Sequence, residues 1–280
     1  MASSRHGRAR KAFKCIVDSR GPLIEQLSNC FKVALRAFGG GSLFGEAAGT
    51  GPPEVLALHG WGRRGSDFGQ ALQGFSYVAL DLPGFGATPA PAQAIGAGGY
   101  SRAIEPVLTE LPNRVVLVGH SFGGRVAVHL AANHPQRFKG LILTGVPLVK
   151  RDPTPKPPTI FRIARRLAGL GLVPASTMER LRRKHGSTDY RAATGVMREV
   201  LVRVVNESYE EQLAVLSLPV ELLWGADDAD VPLEVAERAA ALLRERGADV
   251  NLVVERGAGH LLPITTPGVL RRSVEQMIAR

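Results

Sequence analysis

One stretch decides the fold of this chain: Gly119-His120-Ser121-Phe122-Gly123. It follows the apolar run Val115–Val118 and precedes an apolar, helix-like segment from Arg125 to His134. A serine between two glycines on a strand-to-helix turn is typical of a nucleophile elbow, which holds the serine oxygen above a sheet in a strained conformation. The glycines are needed because the turn leaves no room for a Cβ. Since 32 of the 280 residues are glycine, the spacing alone is weak and its context has to support it.

Size and composition indicate a globular protein with one large core or one core with an inserted subdomain. The chain has 280 residues, of which 45% are hydrophobic and 21% are charged. It has no run of eighteen or more apolar residues, which excludes a membrane-spanning helix. The two cysteines, Cys15 and Cys30, are too few for a disulfide framework and favour a reducing compartment. We therefore expect a cytoplasmic protein.

The net charge of +10 is concentrated in two segments of the chain. Residues 1–36 carry eight Lys/Arg against two acids, and residues 150–203 carry thirteen against four. Neither segment interleaves its charges with aromatic residues or contains a nucleic-acid-binding motif, so solvated basic faces are favoured and no nucleic-acid partner is expected. An anionic substrate and peripheral contact with a membrane surface stay open as less favoured alternatives.

The sequence predicts three regions. Residues 1–30 are expected to be a disordered basic leader, because the first fourteen residues lack both acids and the apolar stretch of a secretory signal. A transit peptide and a misplaced gene start stay open as alternatives for this segment. Residues 31–146 and 216–280 form an α/β core. Residues 147–215 separate two predicted strands of the core by far more chain than a crossover connection needs, and they begin with a Pro-rich connector. We expect this interval to be a helical cap, with helices over residues 160–172, 178–184 and 192–205.

The core reads as a mostly parallel sheet with helices between its strands. A Gly-rich turn joins residues 33–38 to residues 42–46 and predicts a hairpin. Six short apolar runs then suit strands that are buried on both faces: Val55–Leu58, Tyr77–Leu80, Val115–Val118, Leu141–Leu143, Val220–Trp224 and Leu252–Val254. Helical segments are predicted at Ser101–Leu111, Gly124–Asn133, Pro232–Arg246 and Pro267–Ala279. This alternation indicates a layered α/β fold with right-handed crossovers.

Candidate chemical groups follow three of the predicted strands. Asp228 lies just after Val220–Trp224, His260 just after Leu252–Val254, and His59-Gly60-Trp61 just after Val55–Leu58. Sites in open α/β sheets form beyond the carboxyl ends of the strands, so these groups can meet Ser121 although they are distant in sequence. The chain order serine, acid, histidine is that of the α/β hydrolases.

Taken together, these motifs resemble a cap-bearing serine hydrolase of the α/β-hydrolase superfamily, from about residue 33 to the C-terminus. Besides the elbow, four segments carry the resemblance, in the family's order: His59-Gly60-Trp61 at the oxyanion strand end, Asp81-Leu82-Pro83-Gly84-Phe85-Gly86 at the following turn, Trp224 to Pro232 around the acid, and Gly257-Ala258-Gly259-His260 at the histidine.

The resemblance implies a role for each site residue. Ser121 would attack a carbonyl, His260 would act as its base, and Asp228 would orient the histidine. The backbone N–H groups of Trp61 and Phe122 would form an oxyanion hole. The acid is the least determined member, because Asp227 and Asp230 are close alternatives; the family pattern favours Asp228 and leaves Asp227 to support the loop. His59, His120 and Asp81 are expected to be structural.

The serine nucleophile constrains the reaction. Dehalogenases and epoxide hydrolases of this fold carry aspartate at the elbow, so serine favours acyl chemistry. We expect hydrolysis of a small or medium carboxylic ester through an acyl-enzyme. Hydrolysis of a C–C bond and cofactor-free perhydrolase chemistry use the same triad and stay open, as does a non-catalytic member that binds a small ligand. We expect neither a cofactor nor a metal, because no Cys/His cluster has ligand spacing and no phosphate-binding loop stands out.

Overall fold

The computed structural model describes residues 33–149 and 187–280, together with residues 166, 167, 173, 174, 176, 177 and 180. The predicted leader at 1–30 lies outside the described residues. Among the residues that the structure covers, no helix has the length and apolar composition needed to cross a bilayer.

Eight strands form one sheet in the order β1-β2-β4-β3-β5-β6-β7-β8. Only β2 runs against the other described strands, since it pairs antiparallel with both β1 and β4 while every remaining pair is parallel. The predicted hairpin and all six predicted strands are present. Their bounds are β1 Ala34–Phe38, β2 Leu43–Ala48, β3 Val55–Leu58, β4 Tyr77–Asp81, β5 Val115–His120, β6 Phe138–Thr144, β7 Val220–Gly225 and β8 Val250–Glu255.

Eight helices are described along the chain. They are α1 Ala97–Leu108, α2 Phe122–Asn133, α3 Thr188–Ala192, α4 Gly195–Val204, α5 Glu210–Ala214, α6 Leu233–Glu245, α7 Leu262–Thr265 and α8 Pro267–Ala279. Short 3₁₀ helices cover Gly65–Phe68 and Pro135–Arg137. The apolar faces of α1, α2 and α6 pack on one side of the sheet, and those of α7, α8 and the first 3₁₀ helix pack on the other.

The apolar strand runs are buried on both faces in the centre of the sheet. β3, β4, β5 and β7 are buried along their whole length. The same expectation is wrong for β8, where Val254 is 39% exposed and no residue is fully buried. The reason is its position at the edge of the sheet, where one flank has no neighbouring strand.

Helices α3, α4 and α5 lie between β6 and β7, within the predicted cap interval. The helix predicted at 192–205 corresponds to α4, which begins at Gly195, while Ala192 is the last residue of α3. The helices predicted at 160–172 and 178–184 fall almost entirely outside the described residues. The cap boundaries at 147 and 215 therefore stay a prediction.

Candidate active site

The elbow serine occupies the sharp turn between β5 and α2. Ser121 has a positive φ of 48°, a conformation that a residue with a Cβ rarely adopts. Its N–H donates to the Thr144 carbonyl at 2.9 Å, which ties the turn to β6. A Cβ at Gly119 would lie 2.5 Å from Gly124 Cα, and one at Gly123 would lie 2.2 Å from the Leu58 carbonyl oxygen. Both flanking glycines are thus required by close backbone contacts, as the motif predicts.

His260 lies between Ser121 and Asp228. Its Nε2 is 3.0 Å from Ser121 Oγ, and its Nδ1 is 2.9 Å from Asp228 Oδ2. In the neutral tautomer that fits this network, Nδ1–H donates to the carboxylate and Nε2 accepts from the serine hydroxyl. The His260 side chain is 17% exposed and that of Asp228 only 1%, so the histidine is open to the cavity while its partner is shielded from water. This is the arrangement of an oriented general base beside a hydroxyl nucleophile.

The two neighbouring acids do not take this place. Asp227 and Asp230 are exposed, and neither is bonded to His260 as Asp228 is. Asp227 supports the loop through its backbone, as the sequence suggested, because its N–H donates to the Ala258 carbonyl at 2.9 Å. Asp228 adds to this support, since its Oδ1 accepts from the N–H groups of Asp230 at 3.0 Å and Val231 at 2.8 Å. One buried carboxylate therefore holds both the histidine and its own loop.

Gly145 is a further site residue, one that the sequence analysis did not single out. It follows β6 with a φ of 59°, and a Cβ there would lie 2.9 Å from His260 Nδ1 and 3.3 Å from Asp228 Oδ2. The histidine–carboxylate pair thus needs a glycine on the neighbouring strand end. The sequence shows Gly145 only as one of many turn glycines, because nothing local marks its contact with a residue more than a hundred positions away.

Trp61 and Phe122 lie beside the serine, at the end of β3 and at the first residue of α2. Their rings are in edge-to-face contact, with centroids 5.3 Å apart. Phe85 packs against Trp61 at 5.0 Å, and Tyr100 packs against Phe122 at 4.9 Å. The N–H of Phe122 is among the first four amides of its helix, which have no intrahelical acceptor and lie at the positive end of the helix dipole.

Two buried histidines, His59 and His120, bond to the backbone of the loops around the site. His59 Nδ1–H donates to the Gly60 carbonyl at 2.7 Å, and its Nε2 accepts from the Leu82 N–H at 2.9 Å. Burial lowers the pKa of His59 to about 4, against the smaller opposing effect of the bond to Gly60. Burial, with repulsion from His260 second, lowers the pKa of His120 to about 3. Both side chains are therefore neutral parts of the loop structure, as the sequence suggested.

Asp81 closes the turn that follows β4. Its two oxygens accept from the N–H groups of Gly65 and Ala87, each at 2.8 Å. A Cβ at Gly86, whose φ is 54°, would lie 2.0 Å from this carboxylate. The expected turn role of Asp81 agrees with these contacts.

A cavity of about 780 Å³ opens above the serine. It is called the catalytic cavity below, and its walls include Trp61, Ser121 and His260. Four charged residues also line it: Arg63, Arg125, Asp189 and Asp230. Asp189 comes from α3, and partial burial, with repulsion from Asp230 second, raises the pKa of its carboxyl. Of these charged residues only Asp230 had been connected to the site by sequence, because no local pattern shows which charged side chains of the core or of the predicted cap interval line the cavity.

One group of side chains in this region could in principle hold a metal ion. Asp228, Asp230 and His260 each offer one ligand atom, and these atoms lie within 4.8 Å of one another. However, His260 Nδ1 and Asp228 Oδ2 are already bonded to each other. Metal binding through these atoms would break the bond that orients His260 towards Ser121, so the donor set fits the triad arrangement better than a metal centre.

The chain is similar in sequence to known esterases. The sequence model of the Alpha/beta hydrolase family matches residues 55–272. The pimeloyl-[acyl-carrier protein] methyl ester esterase of Aromatoleum aromaticum is 30% identical over 221 residues, which cover 68% of this chain and 86% of that protein. The protein of the same name from Pectobacterium carotovorum is 28% identical over 260 residues, which cover 85% and 98% of the two chains.

The fold is shared with solved hydrolase structures. An esterase from Thermogutta terrifontis superposes with a TM-score of 0.60 at 22% sequence identity, over 89% of this chain and 98% of that one. At this identity the likeness shows the fold alone, and it confirms the α/β-hydrolase architecture expected from the motifs. The chain is thus an enzyme of the alpha/beta hydrolase family, as its motifs predicted.

Proposed function

We propose that this enzyme hydrolyses a carboxylic ester, with Ser121 as nucleophile, His260 as general base and acid, and Asp228 as the residue that orients the histidine. The observation that carries the proposal is the continuous contact from Ser121 Oγ to His260 Nε2 at 3.0 Å and from His260 Nδ1 to Asp228 Oδ2 at 2.9 Å. In this order the imidazole can take the proton of the hydroxyl, and the buried carboxylate pairs with the imidazolium that forms.

The first half of the reaction forms an acyl-enzyme. Ser121 Oγ attacks the ester carbonyl while its proton passes to His260 Nε2, and Asp228 stabilises the resulting imidazolium. The tetrahedral intermediate then collapses as the C–O bond to the alcohol breaks, and His260 returns the proton to the departing alcohol. In the second half, water attacks the acyl-enzyme by the same proton route and releases the carboxylic acid together with free Ser121.

The negative charge of both tetrahedral intermediates needs hydrogen-bond donors. The backbone N–H groups of Trp61 and Phe122 are proposed to supply them, because these residues lie beside Ser121 at a strand end and a helix N-terminus. Loss of one such donor typically costs about 3 kcal/mol of transition-state stabilisation. The contact between the Trp61 and Phe122 rings supports the proposal, because it fixes the two backbone segments relative to each other.

The substrate that we propose is a small alkyl ester of a carboxylic acid. The relatives named as methyl ester esterases support a small alcohol group, and the catalytic cavity of about 780 Å³ has room for an acyl chain. Both signs of charge line this cavity, with Arg63 and Arg125 against Asp189 and Asp230. This balance gives no particular support to an anionic substrate over a neutral one.

The test is an ester panel run with the wild type, Ser121→Ala and Ser66→Ala. Ser66 is an exposed serine of the first 3₁₀ helix and serves as the matched control. We expect Ser121→Ala to lower kcat by about 10⁶-fold, as in removal of a triad nucleophile, and Ser66→Ala to leave it unchanged. A fluorophosphonate probe should label the wild type at Ser121. A wild type that hydrolyses no ester and escapes labelling would rule the proposal out.

A further inference from the structure

A second cavity adjoins the catalytic one. It has a volume of about 220 Å³ and is called the side cavity. Apolar side chains make up much of its wall, and Glu207 and Ser208 add polar groups to it. The apolar residues come from the chain after β6, the end of α4 and the start of α6: Leu148, Val149, Val205, Pro232 and Val235. Four residues line both cavities and so form the partition between them: Arg125, Pro147, Asp230 and Val231.

The side chain of Arg125 bonds to residues of the predicted cap interval. It lies on α2 four residues after Ser121, which is one helical turn. Its Nη1 donates to the Val204 carbonyl at the end of α4 and to the Tyr209 hydroxyl at 3.4 Å. Its guanidinium also lies 5.6 Å from the centre of the Tyr209 ring, within range of a cation–π contact.

Tyr209, the partner of Arg125, is held in place by burial and by a hydrogen bond of its own. Tyr209 is 1% exposed, and its hydroxyl donates to Glu207 Oε2 at 3.0 Å. A cation at the carbonyl end of a helix is favoured by the helix dipole, so the contact with α4 adds to the hold on the guanidinium. Because Arg125 is half-buried, moving it aside would leave charged and polar groups without partners. The partition is therefore expected to stay closed.

We propose that the side cavity is an extension of the acyl-binding site and that Arg125 closes it, so that Arg125 sets the longest acyl chain the enzyme accepts. The proposal rests on the proposed ester hydrolysis. The apolar part of the wall fits methylene groups, whereas the Arg125 guanidinium opposes their passage between the cavities because its polar contacts would have to break. Arg125 is thus a specificity-determining residue that does not touch the reacting atoms.

The test compares kcat/KM along a series of p-nitrophenyl esters from acetate to decanoate. We expect the wild type to lose activity once the acyl chain reaches the partition. Arg125→Met removes the polar contacts while keeping an unbranched apolar side chain. For chains that enter the side cavity, each further methylene should then raise kcat/KM about fourfold, which corresponds to about 0.8 kcal/mol per buried CH₂. The acetate ester serves as the reference within each variant, so the quantity compared is the ratio of kcat/KM for each longer ester to kcat/KM for acetate.

Arg203→Met is the matched control. Arg203 also connects α4 to the core, through a bond from its Nη1 to the Ala94 carbonyl at 2.8 Å, but it lines neither the catalytic nor the side cavity. This variant should keep the chain-length profile of the wild type. Adding Val149→Phe to Arg125→Met places a larger side chain in the wall of the side cavity and should shift the preference back towards shorter chains.

Three results would overturn the proposal. The first is an unchanged chain-length profile in Arg125→Met, and the second is an equal shift in Arg203→Met, which would assign the effect to a loosened cap. The third is a gain for long chains that Val149→Phe does not reduce. If circular dichroism shows that Arg125→Met is unfolded, Arg125→Gln keeps an N–H donor on a shorter, uncharged side chain and should extend the chain-length profile in the same direction. A wild type that hydrolyses none of the esters would instead contradict the proposed function.

Discussion

At the scale of single residues, the three clustered aspartates give a direct test of the site. Asp228→Asn keeps Oδ1 for the loop amides but places an NH₂ group opposite His260 Nδ1–H, so the histidine is expected to turn to the wrong tautomer. We expect kcat to fall about 10⁴-fold with little change in stability. Steady-state kinetics on an activated ester, together with urea unfolding, measure both quantities.

Asp227→Asn is the control for this substitution, because Asp227 is the exposed neighbour with the same chemistry. It should retain nearly full activity. A larger loss of activity in Asp227→Asn than in Asp228→Asn would contradict the assignment of Asp228 as the orienting acid. A loss in Asp230→Asn similar to that in Asp228→Asn would show that Asp230 also contributes to catalysis.

The residue scale also shows what sequence can and cannot supply. Ser121 and His260 were identified from short motifs, because the turns that hold them impose glycine at fixed positions. Arg125 and Gly145 carry no such local signal. The contact of Arg125 with Tyr209 and that of Gly145 with His260 join residues far apart in the chain. Their contribution became visible only once the tertiary structure was known.

At the scale of elements, helix α1 shows how a distant side chain moves a boundary. The sequence predicted a helix from Ser101 to Leu111. The structure starts α1 at Ala97 instead. The residue before it, Gly96, offers no capping side chain, and Glu207 Oε2 accepts the Ala97 N–H at 3.1 Å. The additional turn is thus supported by a carboxylate at the positive end of the helix, which local sequence could not indicate.

This capping contact predicts the effect of Glu207→Ala. The variant loses the acceptor for Ala97 N–H and one partner of the buried Tyr209 hydroxyl. We expect it to lower the free energy of unfolding by about 1–2 kcal/mol, which urea denaturation can measure. Glu210→Ala is the control, since Glu210 is an exposed residue at the start of α5, and its effect should stay within about 0.5 kcal/mol. Equal stability of the two variants would contradict the capping role.

At the scale of the whole molecule, the sequence predicted the strands and helices of the sheet but not the exposure of its edge strand β8. The order of apolar runs and helices was enough to predict the sheet, because strands buried on both faces need continuous apolar sequence. Exposure along β8 was not predicted, since Leu252–Val254 has the same composition as an interior run. Edge and centre differ only in neighbours, and the sheet order determines those.

The stability of the whole molecule is expected to fall in acid because of its buried histidines. Unfolded histidine has a pKa near 6.5, whereas folding lowers the pKa of His59 to about 4 and that of His120 to about 3. Below pH 6.5 the unfolded state therefore binds more protons than the folded state, so the free energy of unfolding falls with the pH. Their contribution is fully present above pH 6.5 and is lost towards the folded-state pKa values, by about 1.4 kcal/mol per pH unit for each histidine.

Urea unfolding at a series of pH values between 7 and 4.5 measures this slope. Protonation of His59 would set an N–H at Nε2 against the Leu82 N–H, which gives the effect a structural cause. His59→Gln should be less stable than the wild type at pH 7, but its slope should be shallower by about one proton, and His120→Gln should behave in the same way. Carboxyl groups also titrate in this range, so the difference in slope between variant and wild type is the quantity that decides. Identical slopes in the wild type and both variants would show that these histidines do not contribute to the acid sensitivity.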